Sequence, residues 1–211
     1  MNLAEIKRLA NITIAELSDG YTVPSPIQTR HINHGYRILN NVSLFSQASL
    51  SITTTNGTQS YSLPADYLYI RDVYWKGLPL TWVPLKYLNR HSSATISTPI
   101  NYSISEGTIY FDPIPNDTGS FISGRYYSAP SNLTAATDSP TFPEAFHDYL
   151  VDYAIYEGLL LAKKGEAAQV YKSRFDDGVT QLTAFYEKDR SRDSVALLRA
   201  QAVPWSKGKP Q

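Results

Sequence analysis

The chain has 211 residues, 42% of them hydrophobic, with 19 basic and 19 acidic side chains and no cysteine. That length is sufficient for one or two domains with a substantial core. Balanced charge gives no overall attraction to DNA or to an anionic membrane, and the missing thiols exclude disulfides, thiolate zinc sites and a cysteine nucleophile.

Apolar runs such as Leu159 to Ala162 are far too short to cross a bilayer. Neither secretion nor membrane insertion is therefore expected, and folding in a reducing cytoplasm fits the composition. At the start of the chain Leu3, Ile6, Ala10, Ile14 and Leu17 recur at spacings of three and four, which predicts a helix over about 3–17 stopped by Gly20. Ser25-Pro26-Ile27-Gln28 combines a capping serine, a proline at the first helical position and a glutamine able to return the capping bond, so a second helix should begin at Ser25. Ile27, His31, Gly35 and Ile38 would share one face of it. The connection is short, which predicts antiparallel packing of the two helices, with Gly35 allowing close approach.

Between Leu44 and Ser131 charges thin out while Ser, Thr, Tyr and Trp accumulate, the composition of β structure. Asn56-Gly57 predicts a hairpin joining strands at 49–54 and 58–63. A longer strand follows over 67–75, then a turn at Lys76-Gly77-Leu78-Pro79 and an extended edge over 80–85. A second hairpin is expected about Glu106-Gly107, and a last strand over 120–127.

Pro143 should open a helix with Glu144 in its first turn, and Phe146, Leu150, Tyr153, Glu157 and Leu160 continue it as far as Lys163-Lys164-Gly165. Ala168, Tyr171, Phe175, Gly178, Leu182 and Phe185 then mark a partner helix in a second hairpin. From Arg190 onward the basic residues Arg190, Arg192, Arg199, Lys207 and Lys209 face the single acid Asp193, so this tail is net +4 and the remainder net −4. Leu197, Leu198 and Trp205 lie among them, each worth roughly 1.5–3 kcal/mol if buried. A segment that orders on a partner is the expectation.

The fold class is thus α+β, with N-terminal (1–43) and C-terminal (136–190) helical hairpins forming a bundle. A small antiparallel β-barrel or sandwich (44–135) is inserted between them, and an extended tail (191–211) follows. No catalytic constellation accompanies this plan. His31 and His34 are three apart on one helix but lack a third ligand, so no metal site is assigned. His147 beside Asp148 lacks a nucleophile and reads as a surface or capping histidine. No spacing among the 11 glycines matches a phosphate loop. The chain is expected not to be an enzyme and to need no cofactor. The aromatic set of the β region, including Tyr67, Tyr69, Tyr74, Trp75, Trp82, Tyr87, Tyr102, Tyr110, Phe111, Tyr126 and Tyr127, could stack on sugars or bases, but it lacks interleaved Arg and Lys and is read as core and subunit packing.

The order of several phrases carries a resemblance. Tyr61-Ser62-Leu63-Pro64-Ala65-Asp66 is followed by Pro99 to Tyr102, Tyr110-Phe111-Asp112-Pro113-Ile114-Pro115, Tyr126-Tyr127-Ser128-Ala129-Pro130 through Leu133-Thr134, then Pro143-Glu144-Ala145-Phe146-His147 and Tyr153-Ala154. Over about residues 57–186 this resembles the head-to-tail adaptor (connector) proteins of tailed bacteriophages that carry a β insertion in the portal-proximal neck. The resemblance implies a structural virion protein, made in the host cytoplasm and located at the head–tail junction. It would form a homo-oligomeric ring of about twelve subunits beneath the portal protein. Double-stranded DNA would pass through the lumen without sequence-specific binding, and the ring would offer a platform to the next neck or tail protein. It also implies a portal anchor at the C-terminus, for which Arg190, Arg192, Leu197, Leu198 and Trp205 are the candidates. Alternatives are a head-closure protein, a tail tubular gatekeeper, or a carbohydrate-binding module built on Trp75 and Trp82.

Overall fold

In the computed structural model, backbone is described for residues 1–91, 95–119 and 121–201, and side chains for these except 89–91, 189 and 191–201. The chain divides into two compact units, one of residues 46–130 and the other of residues 1–45 with those from 131 onward.

The second of these is helical, with α1 (Leu3–Leu17), α2 (Ser25–Ser43), α4 (Asp148–Leu161) and α5 (Gly165–Gln201). Helix α1 buries Leu3, Ile6, Ala10 and Ile14, as the spacing predicts, while Leu17 at its end is exposed. Its start is fixed by a reciprocal capping box. Asn2 Oδ1 accepts from the Glu5 N–H at 3.0 Å, and Glu5 Oε2 accepts from the Asn2 N–H at 3.1 Å.

Helix α2 begins at Ser25, but its cap is Pro24 and no side chain closes it. The box expected from Ser25 and Gln28 does not form because Gln28 is buried against α1, where it donates to the Lys7 carbonyl at 2.9 Å and accepts from Asn11. The face that is buried is not the one shared by Ile27, His31, Gly35 and Ile38. Gln28, Ile32, Asn33, Gly35, Tyr36, Leu39 and Asn40 point inward, and Ile27 is exposed. Asn33 sits in the core without penalty because its amide pairs with both backbone groups of Leu133, at 2.9 Å and 2.8 Å.

Both N-terminal helices pack chiefly on α4 instead of on each other. Glycines set these contacts. A Cβ at Gly35 of α2 would stand 2.8 Å from the Tyr153 ring of α4, so the close approach expected at Gly35 is to α4 and not to α1. Gly158 of α4 admits Ile14 of α1, and Gly178 of α5 admits Tyr149 of α4. Phe45, Phe142 and Tyr36 form an aromatic cluster with centroids 5.2–5.8 Å apart. Pro143 opens a 3-10 turn, Glu144–Phe146, and α4 proper starts only at Asp148. His147 takes the N-cap position of α4 without a side-chain capping bond, and it is buried there and not on the surface, with Nε2 2.9 Å from the Phe142 carbonyl.

The β unit holds β1 (Gln47–Thr53), β2 (Ser60–Ser62), β3 (Tyr67–Trp75), β4 (Leu78–Pro79), β5 (Thr81–Trp82), β6 (Ile96–Ser97), β7 (Asn101–Ser105), β8 (Thr108–Asp112), β9 (Ile114–Pro115) and β10 (Phe121–Ser128), with a short helix α3 (Leu85–His91) that starts at the end of the stretch expected to be extended. One four-stranded sheet has the order β1-β10-β3-β4 and another β2-β8-β7-β5, while β6 and β9 form a separate two-stranded sheet. Leu50, Val73, Trp75, Ile122 and Tyr126 from the first meet Tyr102, Ile109 and Phe111 from the second in one core. This is a two-sheet sandwich and no closed barrel, and it is not wholly antiparallel, since β5–β7 and β6–β9 run parallel.

The hairpin at Glu106-Gly107 is present between β7 and β8. Lys76 and Gly77, both with positive φ, turn β3 into β4. Asn56-Gly57 does not make a hairpin, because β1 pairs with β10 and β2 with β8, so that turn carries the chain from one sheet to the other. The recurring sequence phrases prove to be tie points. Asp66 accepts from the Tyr126 hydroxyl at 2.9 Å, and its carbonyl accepts from the Ala129 N–H at 2.7 Å. Entry and exit of the unit are adjacent, for the Ser128 N–H donates to the Ser46 carbonyl at 3.0 Å and their hydroxyls lie 2.9 Å apart.

Candidate assembly interface

Helix α5 has 37 residues against 14 in α4, so at 1.5 Å per residue it is about 55 Å long beside a partner of about 21 Å. Ala168, Phe175, Gly178 and Leu182 bury one face of it, and Tyr186 reaches Phe45 at 6.1 Å. The helix then continues to Gln201 across the point where an extended tail was expected. The reason is local: no glycine occurs between Gly178 and Gly208 and no proline between Pro143 and Pro204, so nothing stops a run rich in Ala, Leu, Arg and Lys. Arg190 is half-exposed on this helix. Arg192, Leu197 and Leu198 lie on its backbone, their side chains outside the described set, and Trp205 is outside the described residues. Four of the five candidate anchors therefore lie on the backbone of α5 and not in an extended segment.

Beside the exposed Lys163, Lys164 and Glu166 of the α4–α5 turn, large apolar side chains are also exposed. Leu160, Leu161 and Val170 are exposed there, as are Leu17 and Tyr21 after α1, and Lys164 pairs with Asp19 at 3.0 Å. The sandwich sorts its aromatics. Trp75 is 2% exposed and Trp82 57%. With Trp75 in the core, the tryptophan pair needed for sugar stacking does not exist as a surface. Tyr69, Leu78, Trp82, Ile100 and Phe121 stay exposed, although Trp82 and Phe121 give no signal in the sequence that separates them from the buried Trp75 and Phe111.

The electrostatics are structural in kind. Backbone N–H groups of Thr134 and Ala135 hold the Asp138 carboxyl below its ordinary value. Asp152 of α4 is half-buried, and desolvation pushes it up to about 6 against the pull of Arg174, with Asp148 adding to the rise. His31 and His34 do not form a metal centre with any third ligand among the described residues. No helix among the described residues is long and apolar enough to cross a membrane.

Against this geometry, the family model of the SU10 adaptor protein matches residues 1–202. No curated protein matches the chain.

Proposed function

The chain belongs to the SU10 adaptor protein family, the bacteriophage structural adaptors of the head–tail junction, and from that membership we propose that it builds the ring that docks beneath the portal. In this reading about twelve copies assemble laterally through the helical domain, residues 1–43 and 136–190. They continue the DNA channel, and the β domain, 44–135, faces the next neck or tail component. Arg190, Arg192, Leu197, Leu198 and Trp205 bind the portal, the first four carried on the far end of α5.

The observation that carries the proposal is the family match along nearly the whole chain. The fold supports it in three ways. A rod of 37 residues can carry basic and apolar groups well beyond its own packing partner. The exposed leucines at the α4–α5 turn supply an apolar contact for lateral packing. Residues 1–189 hold 14 Lys and Arg against 18 Asp and Glu, and a net negative body does not retain passing DNA through counterion release.

The test is to mix the purified protein with the portal protein of the same genome and image the particles by electron microscopy, with and without residues 191–211. A ring on the portal that disappears on truncation is the expected result. A ring that survives truncation moves the anchor elsewhere, and absence of any association at low and high salt removes the portal-adaptor reading in favour of a more distal neck position.

A further inference from the structure

Helices α2 and α4 leave between them a cleft of about 420 Å³, lined by Arg30, His31, His34 and Arg37 of α2 and Glu157 of α4. The spacing creates it. Residues 30, 34 and 37 follow one another at four and three, and His31 stands three before His34, so four nitrogen-bearing side chains share one helical face. Neither arginine has an ion-pair partner among the described residues. His31 Nδ1 is buried there with no hydrogen-bond partner among them.

The facing helix fixes the other imidazole. The Tyr153 hydroxyl donates to Glu157 Oε1 at 2.8 Å, so its oxygen accepts from His34 Nδ1, also at 2.8 Å. With Nδ1 as the donor, Nε2 is the nitrogen His34 leaves for another partner. One oxygen of Glu157, the only acid lining the cleft among the described residues, is thereby already engaged. Two guanidinium groups against one carboxylate leave a net positive charge even with both imidazoles neutral.

We propose that this cleft is a binding site for a phosphate group, held by the Arg30 and Arg37 forks and loaded with uptake of a proton by His31. The number of donors selects the ligand class. Two guanidinium groups on side chains whose Cα atoms are about 10 Å apart along the helix, a separation that two long arginines can close over one ligand, offer with the two imidazoles more N–H groups than the two oxygens of a carboxylate can accept. A tetrahedral oxyanion presents oxygens in all of these directions. Burial holds the His31 imidazole below its ordinary value, with Arg30 and His34 acting in the same sense and Glu157 against them. An anion beside it reverses that balance and supplies the missing partner for a protonated ring. This site is independent of the ring reading, for it lies wholly within one copy of the helical unit.

The full-length protein is titrated with inorganic phosphate, and separately with sulfate, whose charge does not change near neutral pH, while the histidine ring resonances are followed by NMR. The expected result is movement of the His31 signals on binding, with its midpoint rising by about one pH unit and sulfate affinity growing by about tenfold in all as pH falls through the free and bound midpoints. Arg30→Gln and Arg37→Gln each weaken binding at least about tenfold. Glu157→Gln tightens it, a response that a merely structural role for the cluster does not give. His31→Gln keeps binding but loses its pH dependence. Circular dichroism of each variant shows that the fold is kept. Competition by a short DNA duplex, with the same dependence on both arginines, assigns the phosphate to a nucleic-acid backbone. Competition by inorganic phosphate alone assigns it to a free ligand. His31 signals unmoved by either anion, or unchanged anion binding in the double arginine variant, overturn the proposal.

Discussion

The two units fill their interiors in opposite ways. In the helical unit, small residues let backbones close on large neighbours: Gly35 on Tyr153, Gly158 on Ile14 and Gly178 on Tyr149. In the sandwich, large side chains from both sheets fill a wider gap, with Trp75, Tyr102, Phe111 and Tyr126 in one core. The helical unit should therefore be most sensitive to added atoms and the sandwich to removed ones.

The largest effect tests the sandwich. Trp75→Ala should cost about 3–5 kcal/mol, read as a fall in the urea midpoint, while Trp82→Ala on the exposed edge should stay within about 0.5 kcal/mol. Equal losses at the two positions would break the comparison by moving Trp82 into a core. The helical unit is tested by addition. In Gly158→Val the new Cβ meets Ile14 and stands 3.0 Å from Val23 Cγ2, and overpacking of this kind costs about 1–3 kcal/mol. A neutral result would mean that α1 can retreat from α4 without loss.

The smallest effect has the opposite sign. Asp152 has a folded-state value of about 6 against an ordinary 3.8, so the fold binds its proton more tightly than the unfolded chain does. Its carboxylate penalises the fold above pH 6, and the penalty fades as pH falls from 6 towards 4. Asp152→Asn should thus stabilise by about 1 kcal/mol at pH 7.5, allowing for solvent access to a half-buried group. The gain should vanish below about pH 4 in thermal melts taken across that range.

What was legible in the sequence follows from how local each determinant is. The α1 stripe, the strand at 67–75 and the Glu106-Gly107 hairpin depend on neighbours in sequence, and each is present. The buried face of α2 was not legible because its core positions include Gln28, Asn33 and Asn40, whose amides are satisfied by chain far away, such as the Leu133 backbone. The pairing of β1 with β10 spans some eighty residues of chain and leaves no local trace, so Asn56-Gly57 was taken for the hairpin that its dipeptide favours. Of the candidate anchors, composition exposed the charge and apolar content of the end of the chain. It did not show that α5 carries Arg190, Arg192, Leu197 and Leu198, because a helix without a stop signal was read as ending where its apolar stripe ended.

The adjacency of Ser46 and Ser128 reaches beyond stability. Because the two ends of the sandwich are neighbouring hydrogen-bonded positions, its entry and exit lie about 5 Å apart, the span of an ordinary turn. A module wired in this way can be exchanged, lengthened or lost during descent with little change in the closure entropy of its host. The helical part can then keep one set of contacts while the inserted part diversifies to suit a different neighbour.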